Sequence, residues 1–203
     1  MVTAPFQTPR ERLLVAAAGL FASQGYRATS VADIQLTAGL TGGSGALYKH
    51  FASKKALLAE VVGTHVATMR QGRKSFTEAA PEQLEPALRF LVNAMWTAMH
   101  HDHQVLRVML RDLDRFPELL DQVWAQVRTC VYDELATWLR NQHDRGTIEV
   151  ADPEATAAVL LASLTYYPIL DILIGHTPGD LEPARYAEAW VSQALAALRP
   201  TPR

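Results

Sequence analysis

Helix start and stop signals, with apolar residues at helical spacing between them, run through almost the whole chain and limit the folds open to it. Thr8-Pro9-Arg10-Glu11 predicts an N-cap, a proline at the first helical position and a glutamate that closes a capping box. Ser30 and Ser53 are two further candidate N-caps, and Gly25 and Gly39 follow apolar runs as stop signals. Strand signals are nearly absent, so the sequence predicts an all-α fold with three short helices in its first part.

Longer helices are predicted after Pro81. They run from Leu84 to Met99, from Val105 to Leu113, from Pro117 to Gly146, from Asp152 through Pro168, and from Glu182 to Leu198. In the third of these, Leu120 and Trp124 are expected on the apolar side. Pro168 should bend the fourth and leave the Leu164 carbonyl without its helical donor, because proline has no N–H. Residues 147–150 are a weak strand candidate that we interpret as loop.

Composition and charge place the chain among ordinary globular proteins with a basic first part. Hydrophobic residues make up 49% and charged residues 20% of its 203 residues. Residues 1–60 hold six basic and three acidic side chains, and the remainder holds 13 basic and 18 acidic ones. A basic head on an acidic body suits DNA contact by the head alone.

Location is predicted from segments that the sequence lacks. No apolar run is expected to reach the roughly 20 residues of a membrane span, and the start has no basic region followed by an apolar block. The single cysteine, Cys130, excludes an internal disulfide. We therefore expect a cytoplasmic protein without membrane contact.

A series of short matches in residues 10–62 resembles the DNA-binding domain of the tetracycline-repressor (TetR) family. The matching segments, in order, are Ala17 to Phe21, Gly25-Tyr26, Thr29-Ser30-Val31, Ile34, Ala38-Gly39-Leu40-Thr41, Leu47-Tyr48-Lys49-His50-Phe51, Ser53-Lys54 and Leu57-Leu58. The resemblance implies a helix-turn-helix head in residues 1–56. It also implies that residues 57–203 form a helical domain that binds a small inducer and dimerises through its last helices.

Ten residues of the head are predicted to contact DNA. They are Thr29, Ser30, Thr41, Ser44, Gly45, Ala46, Tyr48, Lys49, His50 and Lys54. Small residues at the helix tip allow a close approach to base edges, and the long side chains are placed to donate to phosphates. The two residues ahead of the second helix lie where a helix N-terminus attracts anions. In the family, the positions that match Tyr48 and Lys54 commonly hold the DNA backbone, whereas Leu47 and Phe51 are expected in the core.

The turn of the helix-turn-helix departs from the family pattern. From Thr41 to Tyr48 the spacing is seven residues, two more than is usual. Because each residue rotates a helix face by about 100°, the extra residues must lie in the turn, where glycines accept unusual dihedral angles. We predict that Ser44 caps the recognition helix. Gly45 and Ala46 would then approach thymine methyl groups, and Lys49 would supply any guanine contact.

Adaptable side chains in the middle helices predict a mostly apolar ligand pocket, although they also suit an ordinary core. The predicted ligand residues are Trp96, Met99, Met109, Trp124, Arg128, Tyr166 and Tyr167. Arg128 follows Trp124 by four residues, at or near the buried face. It either extends outward or pairs with an acidic ligand or a buried acid. We predict no cofactor.

Other chemistries have weaker support. His100, His101, Asp102 and His103 are possible metal ligands, but they also suit a helix boundary, and we predict no metal. Gly42-Gly43-Ser44-Gly45-Ala46 lacks the last glycine of G-x-S-x-G and the Gly-Lys-Ser/Thr of a phosphate-binding loop, so we predict no enzyme. The favoured function is a repressor that binds a palindromic operator as a homodimer and is released by a small molecule. The alternative is a helical small-molecule-binding or catalytic protein whose head does not bind DNA.

Overall fold

A computed structural model describes residues 8–43, 45–70 and 76–198, and these residues are helical with short connections. The helices are α1 (Pro9–Gln24), α2 (Val31–Thr37), α3 (Lys54–Arg70), α4 (Phe76–Ala79), α5 (Leu84–His101), α6 (His103–Asp112), α7 (Pro117–Val127), α8 (Asp133–Asp144), α9 (Pro153–Ile174) and α10 (Pro183–Leu198). A short 3-10 helix, Ala46–Lys49, lies between α2 and α3. The all-α prediction is confirmed, and residues 147–150 form a loop as expected.

The predicted helix starts are confirmed by their hydrogen bonds. Thr8 Oγ1 accepts from the Glu11 amide at 3.3 Å, and the Thr8 amide donates to Glu11 Oε2 at 2.8 Å. Ser30 and Asp33 form the same reciprocal pair at the start of α2. The Ser53 hydroxyl accepts from the amide three residues later at 3.0 Å. These bonds satisfy amides that have no partner inside the helix.

Two compact units make up the described chain. One contains the described residues up to Thr68 together with Asp102–Val123, and the other contains those of Met69–His101 and from Trp124 onward. In the first unit, α1 packs against α2 and α6. Its buried apolar residues include Leu13, Phe21, Ile34, Leu47, Leu57, Leu58, Val108 and Leu113.

The second unit has its core between α5, α8, α9 and α10, with α4 packed on α8. Leu88, Leu91, Leu135, Leu139, Leu161, Leu164, Trp190 and Leu198 are among the buried residues. The Trp96 ring stacks on Tyr167 at 5.1 Å between centroids, with an interplanar angle of 15°.

The Leu164 carbonyl in α9 is not free. Pro168 lies inside the helix and removes the usual donor, but the indole Nε1 of Trp96 donates to Leu164 O at 3.0 Å. The helical donor is absent as predicted, but the carbonyl is bonded within the core. A buried carbonyl without a donor is costly, and the neighbouring tryptophan supplies that donor.

The predicted long helix from Pro117 is interrupted by a π-helical turn, Arg128–Tyr132. Leu119 and Val123 form the buried side of α7. Leu120 and Trp124, expected on the apolar side, are exposed. A π turn adds a residue to the helical repeat. Apolar residues at regular helical spacing before and after the turn therefore do not lie on one face.

Helix α9 also corrects the expectation that no apolar run is long enough to cross a membrane. Its 22 residues meet that criterion by length and composition, with Glu154 and Asp171 as its charged residues. Such composition is also that of a core helix. Ala157, Leu161 and Leu164 of α9 lie in the core of the second unit, which accounts for much of its apolar character.

Candidate nucleic-acid interface

Helix α2 ends in a Schellman motif that turns the chain toward the 3-10 helix. The Gly39 amide donates to Leu36 O at 2.9 Å, and the Leu40 amide donates to Gln35 O at 2.8 Å. Gly39 has a φ of +68°, which favours glycine. The predicted stop signal at Gly39 is confirmed.

The turn that follows depends on glycine. Gly43 and Gly45 have φ values of +73° and +68°, so the prediction that glycines take unusual dihedrals here is confirmed. At Gly42, an added Cβ would lie 3.2 Å from Leu36 Cγ. Ser44, the predicted cap, lies outside the described residues, and Gly45 occupies the N-cap of the 3-10 helix.

One face of the 3-10 helix packs into the core of the first unit, and the other face is exposed to solvent. Leu47 and Phe51 are buried, as predicted. Tyr48 is 60% exposed, and Lys49 and His50 are exposed beside it. Thr41 is also exposed, while Gly45 and Ala46 are half-buried. This part of the head therefore presents one aromatic hydroxyl, one ammonium and one imidazole to solvent.

Thr29 does not fit its predicted role. Its side chain is 1% exposed, and its hydroxyl donates to Gly25 O at 2.8 Å. Gln24 Nε2 donates to the same hydroxyl at 3.3 Å. The loop after α1 folds back onto the end of that helix, so the threonine stabilises the loop and is too buried for direct contact with a phosphate.

Ser30 is exposed, but its polar atoms are engaged by Asp33. The hydroxyl and the amide of Ser30 donate to Asp33 Oδ2 at 2.6 and 3.0 Å. These bonds hold the pKa of the Asp33 carboxyl below its ordinary value. A carboxylate already lies at the N-terminus of α2, where it competes with a phosphate for the same donors.

Lys54 is turned inward. Its ammonium donates to Tyr26 O and Thr29 O, both at 2.8 Å. It also lies 4.3 Å from the centroid of the Tyr26 ring, and burial lowers the pKa of the amine. We therefore interpret Lys54 as holding the α1–α2 loop, in place of the predicted phosphate contact.

The predicted ligand residues are only partly brought together. Trp96, Met99 and Tyr167 are buried in the second unit, whereas Met109 lies half-buried in the first. Trp124 is 56% exposed, and Tyr166 is exposed. Tyr186, which sequence reasoning missed, lies 6.1 Å from the Trp96 ring and 4.9 Å from the Tyr167 ring. Tyr186 lies four residues before the buried Trp190, and this helical spacing could have indicated that the two side chains share a face of α10.

Arg128 extends outward, as one of the two sequence alternatives proposed. Its side chain is exposed, and Nη1 lies 3.5 Å from Asp133 Oδ2. The π turn begins at this residue. Regular helical spacing from Trp124 therefore does not predict the direction of the Arg128 side chain.

The histidine cluster has other contacts. His100 Nδ1 lies 2.8 Å from Trp96 O, and Asp102 Oδ2 lies 3.3 Å from Nδ1 of the buried His65. Within the described ranges, no three His, Cys, Asp or Glu side chains are grouped as a metal site would require.

A groove of about 450 Å³ in the first unit is lined by residues of α1, the end of α2 and α6. Arg12, Val15, Thr37 and Gln104 are among them. None of the predicted ligand residues lines this groove.

Comparisons with known proteins match two family models to this chain. A sequence model described as bacterial regulatory proteins of the tetR family matches residues 13–61. A second, described as the AefR-like transcriptional repressor C-terminal domain, matches residues 82–199. The solved TetR-family regulator PfmR from Thermus thermophilus superposes with a TM-score of 0.70 at 26% identity, over 98% of this chain and all of its own.

Curated relatives match over a shorter stretch. The HTH-type transcriptional repressor KstR2 of Mycolicibacterium smegmatis is 33% identical over 110 residues, 54% of this chain and 52% of the relative. The HTH-type transcriptional activator FasR of the same organism is 29% identical over 62% of this chain and 57% of its own length. The chain thus spans about half the length of the curated relatives it matches first. Since the C-terminal family model alone matches more than half of the chain, and the N-terminal one matches the helix-turn-helix, the chain belongs to the TetR family of bacterial regulatory proteins.

Proposed function

We propose that this chain is a ligand-responsive transcriptional repressor that binds a palindromic operator as a homodimer. The observation that carries the proposal is the solvent-facing side of the 3-10 helix. There, Tyr48, Lys49 and His50 are exposed while Leu47 and Phe51 anchor the helix from below. An anchored helix with outward donors is what major-groove contact requires. We assign DNA contact to Thr41, Gly45, Ala46, Tyr48, Lys49 and His50.

Repression is the favoured direction of control. KstR2 carries the name of a repressor, and the family model over residues 82–199 is that of a repressor. FasR, which matches somewhat more of the chain at lower identity, carries the name of an activator. A regulator of this kind acts on the bacterial chromosome, which supports the cytoplasmic assignment and a role other than catalysis.

Dimerisation is proposed through α9 and α10. The exposed residues of α9 include an apolar row at helical spacing, formed by Ala155, Ala158, Val159 and Ala162. Val159 is 68% exposed in the single chain. An apolar row on one face is typical of helices that pack against a partner helix.

The inducer is proposed to be largely apolar. Trp96, Met99 and Tyr167 supply aromatic and thioether side chains in the second unit, and Trp124 and Tyr166 of the same unit remain proposed contacts. Arg128 is paired with Asp133, which argues against a dedicated counter-ion for an acidic ligand. In this proposal, residues 1–56 serve DNA contact and residues 57–203 serve ligand binding and dimerisation.

The proposal is tested by selecting bound duplexes from a random-sequence library and footprinting the enriched ones. We expect a near-palindrome whose half-sites lie about 34–36 Å apart, or a multiple of this spacing. Failure to enrich any duplex would favour the alternative of a helical protein whose head does not bind DNA. A single asymmetric, monomer-sized footprint would contradict the dimer.

The longer turn is tested in the same selection. Deleting Gly42 and Gly43 removes one positive φ and the close approach to Leu36. The fold should persist because Leu47 and Phe51 keep their mutual spacing. The recovered operator sequence should change. An identical sequence preference would show that the turn does not influence base reading.

A further inference from the structure

Residues 111–118, from the end of α6 to the start of α7, contact the head within the first unit through hydrogen bonds, an ion pair and an aromatic ring. Arg111 Nη1 donates to Ala22 O at 3.3 Å, Asp112 Oδ2 accepts from the Tyr26 amide at 3.1 Å, the Phe116 ring meets Tyr26 edge-on at 5.0 Å, and Glu118 pairs with Lys55. This segment falls in the region matched by the C-terminal family model. It nevertheless packs as part of the same compact unit as the helix-turn-helix.

Asp112 is the buried member of this segment. It is 7% exposed, and its hydrogen bond to Tyr26 joins residues 86 positions apart. Gly25, directly before Tyr26, has a φ of +87°, which favours glycine. A buried carboxylate is retained only where hydrogen bonds compensate the loss of water. The Tyr26 amide is one such donor.

Tyr26 is held from both sides. Its amide donates to Asp112, and its carbonyl accepts from Lys54, whose ammonium also binds Thr29 O. Ser30, which directly follows Thr29, is the N-cap of α2. The loop that connects α1 to α2 is therefore bonded through its backbone to α3 and to the end of α6.

We propose that Asp112 is a positioning residue for operator binding. It fixes the α1–α2 loop and thereby the orientation of α2 and the 3-10 helix packed against it. Without this bond, the head samples orientations that do not fit the groove. The measured affinity then falls in proportion to the fraction of molecules in the competent orientation. This inference rests on the proposed DNA-binding function.

The test compares three variants of the full chain on a duplex recovered from the random library. Asp112→Ala removes the acceptor and should weaken binding about tenfold. The slope of log K against log salt should stay unchanged, because no phosphate contact is lost. Asp112→Asn keeps an acceptor oxygen and should bind within about twofold to threefold of the wild type. The matched control, Asp114→Ala, removes a carboxylate two residues away that is exposed, and should bind as the wild type does.

Amide hydrogen exchange of the wild-type chain provides a readout without DNA. The Tyr26 amide should be protected, and Asp112→Ala should accelerate its exchange more than that of amides in α9. A folded Asp112→Ala variant that binds with wild-type affinity would overturn the proposal. If the Asp112→Ala variant does not fold, the wild type and Asp112→Asn decide. Fast exchange of the Tyr26 amide in the wild type would overturn the proposal. Slow exchange there, together with near-wild-type DNA binding by Asp112→Asn, would support it. Absence of duplex binding by the wild type would instead contradict the proposed function.

Discussion

Lys49 and Lys54 have the same side chain but lie in different environments. Lys49 lies exposed on the 3-10 helix. The ammonium of Lys54 is bound to two backbone carbonyls, 25 and 28 residues earlier in the chain, and lies against an aromatic ring. A solvated ammonium is available to a phosphate, whereas one with carbonyl partners must break those bonds first. The two residues should therefore respond differently to substitution.

Salt dependence distinguishes the two roles. Lys49→Ala should weaken operator binding and reduce the slope of log K against log salt by about 0.9, the value for one lost phosphate contact. Lys54→Ala should weaken binding roughly threefold to tenfold by loosening the loop, with the slope unchanged. Equal reductions of the slope by both substitutions, measured by fluorescence anisotropy across a salt series, would return Lys54 to direct phosphate contact.

Asp33 gives a residue-level prediction about pH. Its pKa is lowered chiefly by the Ser30 hydroxyl and then by the Ser30 amide. A lowered folded-state pKa means that the interaction stabilises the fold above the unfolded-state pKa and is lost as pH falls through the folded-state value. Ser30→Ala should raise the pKa of Asp33 toward its ordinary value. Carboxyl NMR titration of the wild type and of the Ser30→Ala variant measures this pKa. An unchanged pKa in the variant would show that the Ser30 hydroxyl does not lower it.

At the scale of elements, α9 tolerates a proline because a side chain of another helix replaces the hydrogen-bond donor that the proline removes. Pro168 removes the donor to Leu164 O, and Trp96 of α5 supplies one. Tyr167, the neighbour of the proline, stacks on the same tryptophan. A single side chain thus satisfies the carbonyl and packs the interior of the second unit.

Substitutions at these two positions should be coupled. Trp96→Phe leaves the Leu164 carbonyl unpaired, and should lower the free energy of unfolding by about 1–2 kcal/mol more than Trp138→Phe. Trp138 is the matched control because it lies in the same core and does not bond Leu164. Adding Pro168→Ala to Trp96→Phe restores a helical N–H and should recover much of that difference. Equal losses for both tryptophans in urea unfolding, without coupling to Pro168, would contradict this account.

At the scale of the whole molecule, the exposed apolar row of α9 requires an explanation beyond the single chain. One side of the helix supplies Ala157, Leu161 and Leu164 to the core. The row that includes Ala158, Val159 and Ala162 faces away from it. A helix with both sides apolar is stable in water when a partner covers the second side, and a second copy of this chain is the partner that we propose.

A charge on this row tests the dimer. Val159→Glu should raise the dimer dissociation constant roughly a hundredfold, because each of two symmetric copies loses a buried valine. Helicity should be unchanged. Val15→Glu is the matched control, since Val15 is 61% exposed and belongs to the first unit. Light scattering after size exclusion measures the mass, and a Val159→Glu chain that remains dimeric at low concentration would rule out this face.

Much of the fold was predictable from local sequence. The caps at Thr8, Ser30 and Ser53, and the stop at Gly39, each depend on atoms within a few residues of one another. The anchoring of the 3-10 helix was predictable for the same reason. Leu47 and Phe51 are apolar and four residues apart, so one face of that segment had to be buried.

The roles of single polar residues depended on tertiary structure. Nothing near Thr29 or Lys54 in the sequence indicates that a loop folds back to bury one and bind the other. The same holds for Asp112, whose partner lies 86 residues away. The sequence by itself determined the helical class, the capped helix starts and the burial of Leu47 and Phe51, because caps and periodicity act over three or four residues. Only the tertiary structure decided which donors face solvent, because that depends on carbonyl and amide groups contributed by distant segments.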